Sequence, residues 1–234
     1  MPVYQLLGGA VRDHVPLYTH VHDARQAATI EENVAMARQT KADGYRAIKT
    51  DPFLSMATQS GPFRGASLVE KLTPSAINYA AEWVGALRSE LGDDYELMVD
   101  AHARFDVASA IAAARELEPF KLIWFEEPVP QESYDALKEF RENSNVAISV
   151  GESLFTRYDF VPILQDRLAD FVMPDIAWTR GHQRVASDSR LGRSVLRPVH
   201  ASRRLGAGRY RVDVPSLHGD PESVSARVHP CVVR

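Results

Sequence analysis

Three acidic residues recur along this chain at a constant interval, each at or just past the end of a short apolar run. Asp100, Glu126 and Glu152 are separated by 26 residues in each case, a spacing typical of one strand followed by one helix. A chain with this repeat is predicted to fold as successive βαβ units. The carboxyl ends of its strands would then bring the three acids to one edge of a parallel sheet.

The same alternation of apolar runs and amphipathic segments extends over most of the chain. A capping box at Thr29-Ile30-Glu31-Glu32 predicts the start of a helix that Gly44 ends, and Pro74 and Asp106 predict the starts of the next two helices. Two further helices are predicted over 132–141 and 158–165. Strands are predicted over 15–21, 45–49, 96–99, 122–125, 147–150 and 171–173.

Six such strands are compatible with an open doubly wound sheet or with a closed barrel. In an open sheet the ligand lies at one switch point, so few strand ends carry chemistry. Here Lys49, Asp100, Glu126, Glu152 and Asp175 mark the ends of five successive strands, an arrangement that a barrel brings to one axis. The predicted fold class is therefore α/β, a partial TIM-type (β/α)8 barrel with about six recognisable βα units.

The composition excludes several other classes of protein. The 234 residues are 45% hydrophobic and 25% charged, with a net charge of -4, which is typical of a globular domain and argues against nucleic-acid and membrane partners. No apolar run approaches the roughly 20 residues of a membrane-spanning helix. Cys231 is the only cysteine, so neither an internal disulfide nor a thiolate metal cluster is expected. We expect a cytoplasmic protein that acts on a small molecule.

The three periodic acids are candidate metal ligands. A single acid after a strand is commonly the N-cap of the next helix. Glu is a poor N-cap, and Ser153 and Gln131-Glu132 lie nearby to cap the helices that follow Glu152 and Glu126. Three carboxylates from consecutive strands supply the hard oxygen ligands that Mg2+ prefers, so Asp100, Glu126 and Glu152 are predicted to bind Mg2+.

Two basic residues accompany this predicted metal site. His102 follows Asp100 with one residue between, so both side chains would point to the same side of an extended segment. Beside a divalent cation, an imidazole is suited to moving a proton to or from a substrate; the alternative is a histidine in a surface loop. Lys49 either holds a substrate carboxylate, acts as a base, or is a solvated surface lysine.

Two further acids have open assignments. Asp51 precedes Pro52 and either shapes a turn there or contributes a polar group that contacts the substrate. Asp175 follows Pro174 and is either a turn residue or the partner that orients a catalytic histidine on the next strand.

Several motifs stand together in order, namely PVYQLLGG, IKTDPF, MVDAHARFD, WFEEPVP, VGESLFTRYDF and VMPD. Through them residues 1 to about 180 resemble the barrel domain of the enolase superfamily, mandelate racemase/muconate lactonizing enzyme subgroup, and especially its galactonate-type acid-sugar dehydratases. The resemblance implies Mg2+ held by Asp100, Glu126 and Glu152, with His102 as an acid/base catalyst and Asp175 in an Asp-His dyad. It also implies a sugar-acid substrate and a homo-oligomer.

The reaction implied by the resemblance is a dehydration. The proton next to the carboxylate is abstracted, the enediolate is stabilised on Mg2+, and loss of the β-hydroxyl leaves a 2-keto-3-deoxy acid. Two departures matter. The family's Lys-x-Lys pair is Lys49-x-Asp51 here, which disfavours the alternative function of a racemase or epimerase. The histidine of the Asp-His dyad is expected near residue 202, where this chain has Ser202.

The chain changes character after Arg180, where lysine vanishes and arginine abounds. Residues 181–234 are interpreted as a separate arginine-rich tail, either anion-binding or produced by a reading-frame shift. Back-translating 182–207 and reading one nucleotide later permits the segment His-Asp-Ala-Ser-Gly-Pro, similar to the family's histidine strand. Since the family's N-terminal capping domain is also missing before PVYQLLGG, we expect a poorly active fragment, or a non-catalytic, metal-binding product of a damaged gene.

Overall fold

A computed structural model describes residues 17–21, 29–53 and 71–175. The described residues form a six-stranded, fully parallel sheet. Its strands are β1 (Thr19–His20), β2 (Ala47–Thr50), β3 (Glu96–Asp100), β4 (Trp124–Glu126), β5 (Ile148–Val150) and β6 (Phe171–Val172). The helices are α1 (Ile30–Ala42), α2 (Pro74–Leu91), α3 (Val107–Leu117), α4 (Tyr134–Asn143) and α5 (Arg157–Gln165).

The order of the strands in the sheet follows their order in the chain, from β1 to β6. A doubly wound sheet reverses its strand order at a switch point, and the described strands have no such reversal. Consecutive helices α1 to α4 also pack against one another. This arrangement is that of successive units of a barrel and agrees with the predicted choice between the two folds.

Local sequence signals start the helices where they were predicted, with two exceptions. Thr29 and Glu32 form the capping box of α1, and the Asp106 side chain accepts from the backbone of Ser109 at the start of α3. The expected caps of α4 and α5 were wrong: Ser133 rather than Gln131-Glu132 caps α4, and Thr156 rather than Ser153 caps α5, although both helices begin within two residues of their predicted starts. Since each cap lies several residues beyond the strand end, the acids at the strand ends are not engaged in capping.

The two faces of the sheet bury different residues because side chains alternate along each strand. Ile48, Leu97, Val99, Phe125 and Ile148 pack in the large core shared with the helices. The intervening positions point to the opposite, inner face, where the buried residues Tyr18, Ala47, Met98, Trp124 and Met173 form a second cluster. Lys49, Asp100 and Glu126 share the alternation of this inner face, so the carboxyl ends of β2 to β4 direct them to one place.

The opposite, amino-terminal edge of the sheet is held by a buried arginine on α2. The Arg88 guanidinium donates to the main-chain carbonyls of Phe120, Gly92 and Tyr95 at 2.9, 2.9 and 2.6 Å. The side chain thereby joins the end of α2 to the start of β3 and to the turn before β4. At this edge the hydrogen bonds of Arg88 stabilise the fold. Lys49, Asp100 and Glu126 lie at the other edge, at the carboxyl ends of the strands.

Several predictions fall on residues outside the described ranges. These are the PVYQLLGG helix end, most of the long loop over 51–72, the boundary near residue 180 and the arginine-rich tail. Among the described residues, no helix combines the length and the apolar character needed to cross a membrane.

Candidate active site

A lysine ammonium lies between two of the predicted metal ligands. Nζ of Lys49 is 2.7 Å from Oδ2 of Asp100 and 2.7 Å from Oε1 of Glu126. All three side chains are buried, and Asp100 is in register with Glu126 on the neighbouring strand. Lys49 is therefore not a surface lysine, and the two carboxylates converge on a single point occupied by positive charge.

Glu126 has a second donor on its other oxygen. Nε1 of Trp124 donates to Oε2 at 3.0 Å, so both oxygens of this buried carboxylate are engaged. Burial, reinforced by the negative charges of Asp100 and Glu152, outweighs Lys49 and raises the pKa of Glu126 to about 7. Burial also tends to raise the pKa of Asp100, but His102 and Lys49 outweigh it and lower that pKa. Lys49 therefore lies between two carboxylates whose pKa values are shifted in opposite directions.

Glu152 differs from the other two predicted ligands in its position relative to the strand register. The residue of β5 in register with Glu126 is Ser149, so Glu152 lies three positions beyond that register, after Gly151. The equal spacing in sequence therefore does not give equivalent strand positions, because the elements between the acids differ in length. Glu152 is nevertheless buried and close enough to raise the pKa of Glu126, and Asp175 is buried just after β6.

His102 contacts the acids through an unusual backbone. His102 and Ala103 have φ angles of 51° and 54°, in the left-handed region that non-glycine residues adopt rarely. The expectation of an extended segment was therefore wrong. The predicted proximity of His102 to Asp100 is nevertheless observed. The main-chain N–H of His102 donates to Oδ1 of Asp100 at 2.9 Å, which helps to hold this turn.

The ring of His102 faces two carboxylates. Its Nδ1 lies 3.0 Å from Oδ2 of Asp51 and 3.3 Å from Oδ1 of Asp100. Neither oxygen is in line with the ring N–H, so the contact is electrostatic rather than a hydrogen bond. Burial lowers the pKa of His102, but Asp100 and Asp51 outweigh it and raise the pKa to about 9. The half-buried ring is therefore held beside the acids as a cation.

Asp51 belongs to this cluster as well as to a turn. Its Oδ1 accepts from the main-chain N–H of Phe53 at 3.0 Å, which is the turn role, and Nη2 of Arg104 lies 2.7 Å from both of its oxygens. Arg104 is buried, and the sequence interpretation missed it. The signal that could have revealed it is the alternation Asp100, His102, Arg104 after a strand end.

A second missed residue is His20, the last residue of β1. It is in register with Lys49 on β2, and its ring stacks on Tyr18 with the centroids 6.1 Å apart. Since residues in register on parallel strands face the same side, the imidazole shares the inner face with Lys49. A histidine that closes a short strand was the available sequence signal.

The described residues supply oxygen ligands suited to Mg2+ but do not form an assembled metal site. As the side chains stand, no three His, Cys, Asp or Glu side chains of the described ranges are grouped as a metal site. The donor chemistry fits nevertheless, because oxygens of Asp100 and Glu126 already converge on the Lys49 ammonium, which stands where a cation would bind. Around this point the buried carboxylates Asp51, Asp100, Glu126 and Glu152 outnumber the buried cations Lys49 and Arg104.

The sheet order and the carboxylates at successive strand ends define a partial (β/α)8 barrel of the type that carries its chemistry at the carboxyl ends of its strands. The chain belongs to the Enolase C-terminal domain-like family, whose model matches residues 32–193. The predicted fold class and the resemblance to the enolase superfamily are both confirmed.

Individual relatives agree with this assignment. A D-gluconate dehydratase of Thermoproteus tenax is 30% identical over 191 residues, which cover 80% of this chain and 35% of the relative. A D-mannonate dehydratase of Caulobacter sp. (strain K31) is 32% identical over 193 residues, covering 77% and 47%. The chain thus spans about half or less of the length of these relatives.

Solved structures show the same partial coverage. A mandelate racemase/muconate lactonizing enzyme-like protein from Rubrobacter xylanophilus matches with a TM-score of 0.75 and 34% identity, over 85% of this chain and 52% of that one. The 3,6-anhydro-D-galactonate cycloisomerase from Zobellia galactanivorans matches with a TM-score of 0.68 and 27% identity, over 85% and 49%. The fold therefore hosts more than one reaction.

Proposed function

We propose that this site serves the Mg2+-dependent dehydration of a sugar acid. The observation that carries the proposal is the convergence of Asp100 and Glu126 on one cation, 2.7 Å from each, with His102 beside them. Relatives in the same family are named D-gluconate and D-mannonate dehydratase. The Lys49-x-Asp51 pair supports dehydration over racemisation, because Asp51 is bound by Arg104 and offers no second basic amine.

Asp100, Glu126 and Glu152 are the residues that would hold the metal ion. When bound, Mg2+ supplies positive charge that stabilises the negative charge developing on a substrate carboxylate. The Lys49 ammonium, 2.7 Å from both Asp100 and Glu126, marks the point to which those carboxylates are directed, and with Mg2+ bound it would contribute a second positive charge beside that point. The burial of these side chains strengthens the electrostatic attraction, since little water screens it.

His102 is the proposed acid/base catalyst. In the proposed reaction the C–H bond next to the carboxylate breaks and its proton passes to a base, after which the neighbouring C–O bond breaks and the hydroxyl leaves as water. The resulting enol becomes a 2-keto-3-deoxy acid. Held as a cation by Asp100 and Asp51, the His102 imidazolium supplies the proton with which the hydroxyl leaves as water. Asp175, buried just after β6, is the proposed orienting partner of a second catalytic group.

The assembly and location of the whole protein are part of the same proposal: a cytoplasmic homo-oligomer acting on a small sugar acid. Because the chain spans about half the length of its relatives, we propose low activity for this chain alone. Product formation is therefore to be compared with an inactive variant rather than with a full-length relative.

Metal binding is tested by titrating Mg2+ into the purified chain in a calorimeter. Glu126→Gln keeps the size of the side chain but removes one ligand charge, so we expect the affinity for Mg2+ to fall at least tenfold. Glu116→Gln, at an exposed position of α3, removes the same charge elsewhere and is expected to leave the affinity unchanged. Equal affinities for the chain and its Glu126→Gln variant would contradict the assigned ligands.

Turnover is tested by incubating the chain with Mg2+ and gluconate, galactonate, mannonate or xylonate and measuring 2-keto-3-deoxy acids. We expect one of these acids to give product with the unaltered chain and none with His102→Ala. Product formation at the same rate with both chains, or with neither, would refute the proposed dehydration for this chain.

A further inference from the structure

The indole of Trp124 engages one of the two oxygens of Glu126. The two residues lie two positions apart on β4, so their side chains are neighbours on the inner face of the sheet. Nε1 of Trp124 donates to Oε2 of Glu126 at 3.0 Å, whereas Oε1 lies 2.7 Å from Nζ of Lys49. One oxygen of this buried carboxylate is therefore bound to the indole, and the other faces the point on which Asp100 also converges.

The indole is itself held in place by packing. Trp124 is buried, and its ring contacts Tyr18 edge-on, with the centroids 5.8 Å apart, and Phe171, with the centroids 5.2 Å apart. Tyr18 directly precedes β1 and Phe171 begins β6, so the ring is in contact with both edges of the described sheet. A side chain packed in this way has little freedom to turn, and the direction of its N–H is fixed with it.

The number of oxygens that a carboxylate offers affects which cation it binds. Mg2+ is small and requires a nearly octahedral set of ligands at about 2.0–2.1 Å, whereas Ca2+ accepts carboxylates through one or both oxygens at about 2.3–2.6 Å. A carboxylate whose second oxygen is bound to an indole N–H offers a cation one oxygen only. Such a carboxylate suits Mg2+ better than Ca2+.

We propose that Trp124 is a positioning residue that sets the metal selectivity of the site: it holds Oε2 of Glu126, leaves Oε1 as the single ligand atom, and so favours Mg2+ over Ca2+. The inference rests on the proposed function, because it concerns how the same site selects its metal ion. Asp100 is arranged in a comparable way, since its Oδ1 accepts the main-chain N–H of His102 at 2.9 Å and its Oδ2 faces Lys49. Both carboxylates thus present one oxygen to the same point, and of the two donors that hold them only the indole can be removed by a substitution.

The variant Trp124→Phe tests this inference, because it removes the indole N–H and keeps an aromatic ring at the same position. The affinities of the purified chain for Mg2+ and for Ca2+ are measured by calorimetry. Loss of a hydrogen bond that orients a ligand costs about 10- to 100-fold in metal affinity, and we expect the affinity for Mg2+ to fall by that factor. Ca2+ can use the released oxygen, so its affinity is expected to change by less than about threefold. The ratio of the two affinities therefore shifts towards Ca2+, whereas a purely structural loss would weaken the binding of both cations alike.

The matched control is Trp83→Phe. Trp83 is also buried, but its Nε1 donates to Oγ1 of Thr50 at 3.2 Å and not to a carboxylate. The control makes the same chemical change and is expected to leave the ratio of Mg2+ affinity to Ca2+ affinity unchanged. An unchanged ratio in Trp124→Phe, or an equal shift in the two variants, would overturn the inference.

If Trp124→Phe does not fold, as judged by circular dichroism, Trp124→Met replaces it. Methionine adapts to an irregular space in a core and also lacks the N–H donor. The same shift towards Ca2+ is expected, and an unchanged ratio would again overturn the inference.

The hydrogen bond can also be observed without any metal ion. In the 1H–15N spectrum of tryptophan-labelled protein each indole N–H gives one signal, and that of Trp124 is identified by its loss in the variant at this position. Glu126→Gln replaces the charged acceptor by a neutral amide, so we expect the Trp124 signal to move and the Trp83 signal to stay in place. An unmoved Trp124 signal would show that the indole does not hold Glu126, and would overturn the inference.

The two proposals fail in different ways. An unaltered chain that binds neither cation would refute the proposed function and the selectivity with it, whereas the indole signals would still decide whether Trp124 holds Glu126. A Trp124→Phe chain that binds Mg2+ with the same preference over Ca2+ as the unaltered chain would leave the proposed function in place and overturn this inference alone.

Discussion

Replacement of Gly151 by alanine tests how closely β5 and β6 approach beside the candidate site. Gly151 follows β5 directly, precedes Glu152 and has a φ angle of +132°. A Cβ atom there would lie 2.9 Å from the backbone N and 3.0 Å from the carbonyl carbon of Met173, and 3.0 Å from Cε1 of Phe160. Real Cβ atoms do not approach a backbone this closely, so one strand end must shift.

The magnitude has two parts. A non-glycine residue at this φ costs about 1–3 kcal/mol of backbone strain, and overpacking against a strand adds about 1–3 kcal/mol. The backbone N–H of Met173 donates to Val150 at 2.8 Å, so relief of the overlap weakens a bond between the strands. We therefore expect Gly151→Ala to lower the free energy of unfolding by about 2–6 kcal/mol.

Urea unfolding followed by circular dichroism measures the loss, with Gly92→Ala as the matched control. Gly92 also has a positive φ, +88°, but a Cβ there meets nothing within 4 Å. The control therefore carries strain without overlap, and its loss is expected to be smaller by about 1–3 kcal/mol. Equal losses for the two variants would refute the argument from close approach. A displaced Glu152 should also weaken Mg2+ binding in Gly151→Ala and not in Gly92→Ala.

Three further predictions concern stability. Asp106→Ala removes the cap of α3 and is expected to lower the free energy of unfolding in urea by about 1 kcal/mol, whereas Asp106→Asn should lower it hardly at all. Equal losses of stability in the two variants would contradict a stabilising cap at Asp106. Arg88→Met removes this donor from five main-chain carbonyls, three of them within 2.9 Å, and is expected to cost about 3 kcal/mol, far more than Arg38→Met on the surface. Burial raises the pKa of Tyr95 to about 12. The contribution of the neutral phenol to stability is therefore complete below about pH 10 and is lost as the pH rises towards 12. Tyr95→Phe should lose less stability over that pH range, and identical pH profiles for the two chains would contradict the prediction.

Much of the secondary structure could be predicted because its signals are local. The capping box at Thr29, the proline at position 74 and the aspartate at position 106 act within one helical turn, and the structure places helix starts at all three. The predicted strands agree with the observed ones to within a few residues. The caps of α4 and α5 could not be placed, because several polar residues in each loop were equally plausible.

The candidate site was predictable in its members more than in its contacts. Buried acids at successive strand ends were expected from the repeat, and Lys49, Asp100 and Glu126 do meet. The register of Glu152 was not predictable, because it depends on how far β5 slides along β4 rather than on spacing in the sequence. Whether the three acids bind Mg2+ stays a prediction that the titration decides.

The sequence by itself determined that this chain would form repeated βα units with acids at the strand ends, because apolar periodicity and helix capping depend on near neighbours. The tertiary structure alone decided which of these side chains meet. The contact of Asp51 with Arg104 joins residues that lie 53 positions apart, and the left-handed turn at His102 is held by Asp100. Such contacts arise from strand register and close packing, which involve the whole sheet at once.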